Sequence, residues 1–223
     1  MYKGKKILGV IPARGGSKGI PKKNIKDLDG LPLIFYTINE SKNSQFLSDF
    51  IVSTDDDSIK KISEKFGAKV INRPSNLALD DSRTEDCLIH AINYLDSQGI
   101  IYDYVVVLEP TSPFRKFKTI DNCIKMIIDK NAESLLTVYE TKECIGEINN
   151  SGFFNHLKKN QPRRRQDREP LFVESSTLYI VKKDFLLQNK SLVCKKWLSY
   201  IIDKKEAIDI NTMEDFEYAN FLK

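Results

Sequence analysis

The residues with the clearest chemical potential form a glycine-rich, basic run at residues 12–24. This run contains three glycines, and it places one arginine and three lysines within ten residues, from Arg14 to Lys23. Glycines let a backbone turn its N–H groups toward one point, and clustered cations neutralise a polyphosphate. Neither GxxxxGK[ST] nor GxGxxG is present, which excludes the two common nucleotide fingerprints. The run predicts a phosphate-binding loop, and a solvated glycine-rich turn is the alternative.

A carboxylate and an amide near the end of the chain form a candidate metal site. Asp209 and Asn211 lie two positions apart on a predicted strand, so their side chains leave the same face roughly 6–7 Å apart. Two oxygen ligands at this spacing suit a Mg²⁺ that bridges phosphate oxygens. Asn211 or Thr212 could instead cap the last helix. Farther upstream, Asp55 could face the same ligand, while Asp57 could cap a helix that begins near residue 58.

Two further segments could bind a second substrate. Residues 109–115 follow the fourth predicted strand, where substrate loops are expected. Residues 163–167 contain three consecutive arginines, which suit a carboxylate or a phosphate, although an exposed charged flap is the alternative for any one of them. No Ser/His/Asp pattern is present, so covalent nucleophilic catalysis is unsupported. Direct in-line attack on a phosphate needs only positioning, charge neutralisation and activation of a hydroxyl, and the sequence supplies all three.

Alternating apolar and amphipathic segments predict the elements that position these residues. Short runs rich in Val, Ile and Leu predict strands buried on both faces, and apolar residues three or four positions apart predict helices. Predicted strands cover residues 6–11, 50–53, 69–71, 104–108 and 134–138, and predicted helices cover residues 33–42, 58–66, 84–95 and 117–129. This alternation predicts an α/β fold with a doubly wound, mostly parallel sheet, whose ligands bind beyond the carboxyl ends of the strands.

One segment interrupts the alternation. Residues 140–170 hold three charge-dense runs with little periodicity, so they predict an insertion or flap. Residues 177–181 and 207–210 return to strand character before a closing helix that begins at Thr212. Because no internal repeat or flexible linker is found, a single domain over residues 1–223 is predicted, with the insertion as a small subdomain.

Composition and charge narrow the class of protein. The chain has 223 residues, of which 41% are hydrophobic and 30% are charged, an ordinary balance for a globular protein. The net charge of +4 is confined to residues 158–169, which favours a small anionic ligand over nucleic acid.

The four cysteines form no CxxC pair, so reduced thiols are expected. No apolar run approaches the ~20 residues of a membrane span, and the short apolar start lacks signal-peptide flanks, so a cytoplasmic location without membrane contact is expected.

The opening motif at residues 11–24 and the strand before it resemble those of the acylneuraminate cytidylyltransferases, also called CMP-sialic acid synthetases. The likeness continues through residues 52–55, 73–74, 110–113 and 209–210 in the family's order, and so covers nearly the whole chain. The resemblance implies a Rossmann-like nucleotidyltransferase fold and transfer of CMP from CTP to the anomeric hydroxyl of a nine-carbon sugar acid, with release of pyrophosphate. It also implies dependence on Mg²⁺ (or Mn²⁺) and a homodimer in which a small insertion reaches toward the neighbouring subunit.

The resemblance also assigns roles to individual residues. Arg14, Ser17 and Lys23 match triphosphate contacts. Arg73 and Thr84 fall where the family binds the cytosine nucleotide, although Arg73 could be a surface residue and Thr84 a helix cap. The implied nucleotide site comprises Ala13, Arg14, Gly15, Gly16, Ser17, Lys23, Asn24, Arg73 and Thr84, the implied catalytic residues are Arg14, Lys23 and Asp209, and the implied metal ligands are Asp209 and Asn211.

The chain departs from the family pattern where the metal and the acceptor would bind. Asn211 stands where the family usually has Asp, which predicts weaker metal binding. Glu109 stands in place of Gln, residues 174–179 replace Asn-Gly-Ala-Ile-Tyr, and the insertion lacks the usual His-His-Pro tract. The identity of the acylated sugar therefore stays open, and Glu174 is a hypothetical base. The implied acceptor contacts are Glu109, Thr111, Ser112, Arg165, Gln166, Glu174 and Ser175.

Three functions are compatible with the sequence. The leading hypothesis is a CMP-sugar synthetase that acts on a nonulosonic acid of sialic, legionaminic or pseudaminic type, for surface-glycan synthesis. The second is a nucleotidyltransferase that uses another nucleotide or a sugar-phosphate acceptor. The third is a non-catalytic nucleotide-binding protein that has lost metal chemistry at Asn211.

Overall fold

The computed structural model describes residues 1–223 as helices packed on both faces of a seven-stranded sheet. The strands are β1 (Ile7–Pro12), β2 (Asp27–Leu28), β3 (Leu31–Pro32), β4 (Asp49–Thr54), β5 (Lys69–Asn72), β6 (Tyr104–Val107), β7 (Ser134–Thr141), β8 (Gly146–Ile148), β9 (Phe154–His156), β10 (Leu171–Lys182) and β11 (Leu198–Ile202). The helices are α1 (Leu33–Asn43), α2 (Asp57–Lys65), α3 (Thr84–Asp96), α4 (Phe117–Asp129), α5 (Lys183–Asn189) and α6 (Met213–Leu222). Single 3₁₀ turns lie at Lys23–Ile25, Ser75–Leu77 and Arg165–Asp167.

The order of the strands places a ligand cleft beside β1. The sheet follows the order β11, β7, β10, β6, β1, β4, β5, and β10 alone runs against the other strands. The chain moves outward from β1 to β4 and β5, and then crosses back to place β6 on the other side of β1. Such a reversal opens a crevice at the carboxyl ends of the two central strands. The loops that follow β1 and β6 therefore face one cleft.

Strand β1 buries side chains on both faces of the sheet. Ile7 and Ile11 pack in a core cluster with side chains of α1, α2 and α4, whereas Leu8 and Val10 pack in a second cluster with side chains of α3 and α5. All four side chains are fully buried. Continuous apolar strands are typical of parallel sheets between two helix layers. The predicted α/β class with a doubly wound, mostly parallel sheet is confirmed.

The predicted strands and helices before the insertion are all present, with ends that shift by no more than three residues. Strand β10 includes the predicted strand at residues 177–181, and the closing helix α6 begins at Met213, directly after Thr212. Helix α5 and strand β11 have no counterpart in the prediction. Strand β11 lies at the sheet edge and alternates partly buried with exposed residues, so it lacks the continuous apolar run of the central strands.

The predicted strand at residues 207–210 is wrong, because this segment joins no sheet. The Ile210 N–H donates to the carbonyl of Thr111 (2.9 Å), and the Ile210 carbonyl accepts from Lys23 Nζ (2.9 Å). The Ile210 side chain packs with Ile20 and Phe114 in a third core cluster. The segment fills the space between the loops after β1 and β6. Its apolar residues are buried beneath loops, and periodicity alone cannot separate that environment from a strand.

Residues 140–170 extend from the sheet between two long strands. The last residue of β7, Thr141, pairs with Leu171 at the start of β10, and the intervening chain forms the β8–β9 hairpin. Several large apolar side chains of this segment are exposed, namely Ile145, Ile148, Phe153, Phe154 and Leu157. The insertion therefore presents an apolar surface that the rest of the chain does not cover.

All four cysteines are free thiols. Cys87, Cys123 and Cys194 are buried, and Cys144 is partly exposed. None of the helices has both the length and the apolar character needed to span a membrane.

Candidate active site

Two cavities meet at the carboxyl ends of β1 and β6. The smaller, about 270 Å³, has no hydrophobic lining residue and is called the polar cavity; its walls include Arg14, Ser17, Lys18, Lys23, Asn24 and Thr111. The larger, about 500 Å³, is called the mixed cavity; its walls include Thr84, Glu174, Tyr179, Trp197, Asp209 and Asn211. Lys23, Glu109 and Thr111 line both cavities. The two cavities therefore form one continuous cleft at the switch point of the sheet.

Two cations of the loop after β1 converge on one carboxylate. Arg14 Nη1 lies 2.9 Å from Asp80 Oδ1, and Lys18 Nζ lies 2.6 Å from Asp80 Oδ2. The hydrogen bond from Lys18 contributes most to holding the pKa of Asp80 below its ordinary value. All three side chains are partly or largely exposed, and ion pairs of this kind are weak. A bound phosphate can therefore replace the Asp80 carboxylate between the same two cations.

Lys23 is held at the junction of the two cavities. Its ammonium group is half-buried and donates to the carbonyl of Ile210, and burial lowers its pKa while Asp209 opposes that shift. The neighbouring Asn24 is buried, and its Nδ2 donates to the carbonyl of Arg14 at 3.0 Å. Asn24 thus holds the loop that carries Arg14 against the 3₁₀ turn that carries Lys23.

Gly15 and Gly19 allow close approach of the loop to neighbouring segments. Neither glycine has a positive φ. A Cβ atom on Gly15 would lie 2.8 Å from the carboxylate of Asp56, and one on Gly19 would lie 2.9 Å from the carbonyl of Asn211. The Gly15 N–H donates to Asp55 Oδ1 at 3.0 Å, so it is engaged by a carboxylate rather than turned into the polar cavity. A Cβ atom on Gly16, in contrast, would meet open space.

The helix caps decide several alternatives that the sequence leaves open. Asp56, not Asp57, caps α2, because its side chain accepts from two backbone N–H groups of the first turn. Helix α3 begins at Thr84, and no side chain caps its first turn. Thr84 therefore is not a helix cap, and it lines the mixed cavity. Thr212 caps α6 in a reciprocal capping box with Asp215. The side chain of Asn211 therefore has no capping role.

Asp209 and Asn211 are joined to each other instead of standing side by side. Asn211 Nδ2 donates to Asp209 Oδ2 at 2.7 Å, while Asp209 Oδ1 is buried and has no hydrogen-bond partner. No group of three His, Cys, Asp or Glu side chains comes together to hold a metal ion. The unpaired oxygen suits a hard cation whose other ligands are phosphate or water oxygens. In this arrangement the amide of Asn211 orients the carboxylate of Asp209.

Arg115 anchors the loop that follows β6. Its guanidinium is buried and donates to the carbonyl of Thr177 (2.6 Å), to Thr37 Oγ1 (3.0 Å) and to the carbonyl of Glu109 (2.7 Å). Burial lowers the pKa of Arg115 to about 10, so the group remains charged at neutral pH. One side chain therefore ties α1, β10 and the loop backbone at Glu109 together.

Glu109 borders both cavities and carries a perturbed carboxyl group. Burial raises its pKa from 4.5 to about 7, Arg115 opposes that shift, and the nearby Asp209 adds to it. The folded protein therefore binds more protons than the unfolded chain between these two pKa values. Linkage then requires that stability falls as the pH rises through this window.

We expect the Glu109→Gln variant to be more stable than the wild type above neutral pH. Glutamine keeps the size of the side chain but removes the cost of ionising a desolvated carboxyl group. The stability gained should grow by about 2 kcal/mol between about pH 5 and about pH 8.5. Urea unfolding of both ligand-free proteins at the two pH values measures this difference, and an equal gain at both would contradict it.

Several residues implied by the resemblance lie away from both cavities because they are buried. Ala13 is fully buried in the core, and Ser112 is buried with an unpaired hydroxyl. Ser175 is buried and its hydroxyl pairs with Thr177 Oγ1. Arg73 is not a surface residue, because its guanidinium is buried and donates to the carbonyl and hydroxyl oxygens of one serine of β4. These four residues therefore line neither cavity.

The basic stretch of the insertion also lies outside the cleft of this chain. Arg165 and Gln166 are exposed on the last 3₁₀ turn and line neither cavity. Arg165 Nε lies 3.3 Å from the carboxylate of Glu143, and the Gln166 carbonyl accepts from Lys142. Within one chain, these two residues contact only the insertion itself.

The mixed cavity contains residues that sequence reasoning did not assign to the site. Leu192, Val193 and Trp197, between α5 and β11, form an apolar wall, and Ser176 and Tyr179 of β10 line the cavity with Glu174. The surrounding elements α5 and β11 were not predicted, so no spacing argument pointed to this wall. The sequence signal that could have pointed to this wall was Trp197, the single tryptophan of the chain, which lies within a polar segment.

The fold and the cleft define a nucleotidyltransferase: a doubly wound sheet with a cationic loop after its first strand and a second substrate cavity beside it. Residues 8–221 match the family model described as "Cytidylyltransferase". The chain belongs to the cytidylyltransferase family, which confirms the resemblance seen in its motifs.

Curated relatives of the chain act on related sugar acids. The chain is 31% identical to "Pseudaminic acid cytidylyltransferase" of Campylobacter jejuni subsp. jejuni serotype O:23/36 (strain 81-176), over 97% of this chain and 96% of that protein. It is also 31% identical to "CMP-N,N'-diacetyllegionaminic acid synthase" of Legionella pneumophila, over 95% and 93% of the two chains. It is 29% identical to "N-acylneuraminate cytidylyltransferase" of Escherichia coli O18:K1:H7 and spans 51% of that longer protein.

Solved structures share the fold. A CMP:2-keto-3-deoxy-manno-octonic acid synthetase, solved with CTP, superposes with a TM-score of 0.73 at 17% identity, over 97% of this chain and 98% of that one. A 4-diphosphocytidyl-2C-methyl-D-erythritol synthase superposes with a TM-score of 0.74 at 10% identity. At this level of identity the likeness supports the architecture and not the substrate.

Proposed function

We propose that the chain transfers CMP from CTP to the anomeric hydroxyl of a nonulosonic acid, with release of pyrophosphate. The observation that carries the proposal is the continuous cleft, in which a cationic polar cavity opens into a larger cavity and shares Lys23, Glu109 and Thr111 with it. A two-substrate transfer needs both sites to meet where the new bond forms. The choice of CTP and of a nine-carbon sugar acid rests on the family and on the names of the relatives.

The polar cavity suits the triphosphate. Arg14, Lys18 and Lys23 supply three cations, and Ser17 and Asn24 supply polar contacts, around a space without hydrophobic lining. In the proposed reaction the anomeric hydroxyl gives its proton to water, and its oxygen bonds to the α-phosphorus as the bond to the pyrophosphate breaks. The cations neutralise the charge that develops on the phosphate oxygens and on the leaving pyrophosphate. Lys23, at the junction, is placed to contact the transferred phosphate.

The mixed cavity suits an acceptor with little negative charge. Lys23 is its only cationic lining residue, while Glu85 and Glu174 contribute carboxylates away from the polar cavity. A phosphate group carries more negative charge than the single carboxylate of a sugar acid, so these carboxylates would repel a phosphorylated acceptor more strongly, which favours a sugar acid. The apolar wall offers surface for acyl or deoxygenated substituents of the sugar.

The chain's own groups fit a divalent cation such as Mg²⁺ or Mn²⁺. The buried, unpaired Oδ1 of Asp209 is a carboxylate oxygen in the cleft, held in place by Asn211. A bound Mg²⁺ would supply further neutralisation of the triphosphate. Because no group of three His, Cys, Asp or Glu side chains surrounds it, most ligands of the ion would come from phosphate and water.

The exposed apolar surface of the insertion supports a homodimer. Ile148, Phe153, Phe154 and Leu157 are each at least half exposed on one hairpin. Isolated apolar side chains are common on surfaces, but a contiguous group is typical of an interface. We further propose that the enzyme works in the cytoplasm, where the four free thiols would stay reduced.

Pyrophosphate release with a panel of nucleoside triphosphates and acceptors tests the function. We expect release with CTP together with a pseudaminic, legionaminic or sialic acid, and none with CTP alone or with sugar phosphates. Release with another nucleotide, or with a sugar phosphate, would favour the second enzymatic hypothesis. Binding of CTP without turnover across the whole panel would favour a non-catalytic protein.

A further inference from the structure

A three-residue bulge in β10 brings Ser176 to the wall of the mixed cavity. Ser175 pairs with Thr137 of β7, and the next paired residue of β10, Tyr179, faces Leu136. Residues 176–178 of β10 therefore lie between two residues that pair with consecutive residues of β7. Such a bulge breaks the alternation of side chains between the two faces of the sheet. Ser176 is the first of these three residues.

The bulge itself is tied down by the neighbours of Ser176. Thr177 Oγ1 pairs with the Ser175 hydroxyl at 2.7 Å and donates to the carbonyl of Glu206 at 2.9 Å. The Leu178 N–H donates to Thr137 Oγ1 at 3.2 Å, and the Leu178 side chain is fully buried. These contacts hold the bulge without any contribution from the Ser176 side chain.

The hydroxyl of Ser176 has no partner in the protein. Its Oγ is buried and makes no hydrogen bond, although Ser176 lines the mixed cavity. On the same wall, the Tyr179 hydroxyl donates to Glu174 Oε1 at 2.8 Å, so these two groups satisfy each other. A buried hydroxyl without a partner costs stability and calls for an explanation, and a ligand in the mixed cavity would supply the missing partner.

We propose that Ser176 determines acceptor specificity by hydrogen-bonding a hydroxyl or acylamino group of the bound sugar acid. The proposal rests on the proposed function, because it assigns the mixed cavity to the acceptor. The apolar wall lies on the same cavity, so the acceptor that fits best presents a polar substituent to Ser176 and an apolar substituent to Leu192, Val193 and Trp197. Ser176 does not line the polar cavity and makes no hydrogen bond to Asp209, so we expect its effect to be confined to the acceptor.

The Ser176→Ala variant tests this assignment. We expect the KM for the sugar acid to rise about tenfold, the effect of one lost hydrogen bond, while the KM for CTP stays unchanged. The matched control is Ser63→Ala, which removes another buried, unpaired hydroxyl, on α2 and outside both cavities. This control should leave both KM values unchanged.

Binding and turnover of sugar acids by the wild-type protein show whether this proposal or the proposed function has failed. Trp197 lines the mixed cavity, so its fluorescence reports the binding of a sugar acid in the presence of CMP. No turnover of any sugar acid by the wild type would overturn the proposed function. Turnover by the wild type with an equal acceptor KM for Ser176→Ala would overturn the role of Ser176 alone. A parallel rise in the KM for CTP would also overturn it, because that result indicates a structural role.

Discussion

Replacing Arg14 and Lys23 together with alanine should lower kcat/KM for CTP by about 10³–10⁴-fold. Both cations line the polar cavity, and Lys23 also stands at its junction with the mixed cavity. In the proposed reaction they neutralise charge that grows on the phosphate oxygens as the pyrophosphate leaves, and water cannot replace them without reorganising. Steady-state pyrophosphate release measures the loss, and titration calorimetry with CTP shows how much of it comes from ground-state binding.

The neighbouring Lys22 provides the control for this pair. Lys22 is exposed and lines neither cavity, although it belongs to the same basic run. Its φ of 53° is left-handed, a conformation that asparagine tolerates, so Lys22→Asn removes a charge without straining the backbone. This control should turn over CTP at the wild-type rate. Unchanged turnover in the double variant would refute the phosphate-binding role of the loop and, with it, the proposed nucleotide site.

Replacing Asp209 with asparagine should lower turnover at a fixed Mg²⁺ concentration by about 10²–10³-fold. The substitution conserves shape but removes the charge of the carboxylate whose buried Oδ1 has no partner. Affinity for Mn²⁺ in the presence of CTP should fall in parallel, and paramagnetic resonance of the free ion measures that affinity without turnover. An unchanged Mn²⁺ affinity in Asp209→Asn would show that the ion is held by the nucleotide alone.

The Asn211→Asp variant is the matched change in the opposite direction. It restores a second carboxylate beside Asp209 but removes the amide that donates to Asp209 Oδ2. A second anionic oxygen strengthens binding of a hard divalent cation. We therefore expect half-maximal activity at a lower Mg²⁺ concentration than in the wild type. A higher requirement would indicate that orientation of Asp209 by the Asn211 amide matters more than added charge.

The central fold could be predicted because its signals are local. The central strands β1, β4 and β6 each contain an apolar run that is buried on both faces of the sheet. Burial on both faces requires consecutive apolar residues, and these are visible in the sequence of each segment. The cationic loop was equally visible, because Arg14 and Lys23 are only nine positions apart in the sequence. Both inferences need only the neighbours of a residue along the sequence.

The errors arise where distant segments meet. Ile210 is apolar like a strand residue, but its backbone bonds to Thr111 and Lys23 in place of a neighbouring strand. The surroundings of Arg73 were likewise not visible in the sequence, because its guanidinium donates to Ser53 of β4, twenty residues away. No periodicity distinguishes these outcomes, because each depends on a partner far away in the chain.

The sequence by itself determined the α/β class, the cationic loop after the first strand and the family, since these depend on patterns within short segments. The tertiary structure alone decided which side chains share the cleft. It buried Ser175 and placed Ser176 on the wall of the mixed cavity through the bulge of β10, and it brought Trp197 from an unpredicted segment to the same cavity. The physical reason is that the direction of a side chain depends on strand register and on packing between segments far apart in the chain, whereas strand or helix character is already present in consecutive residues.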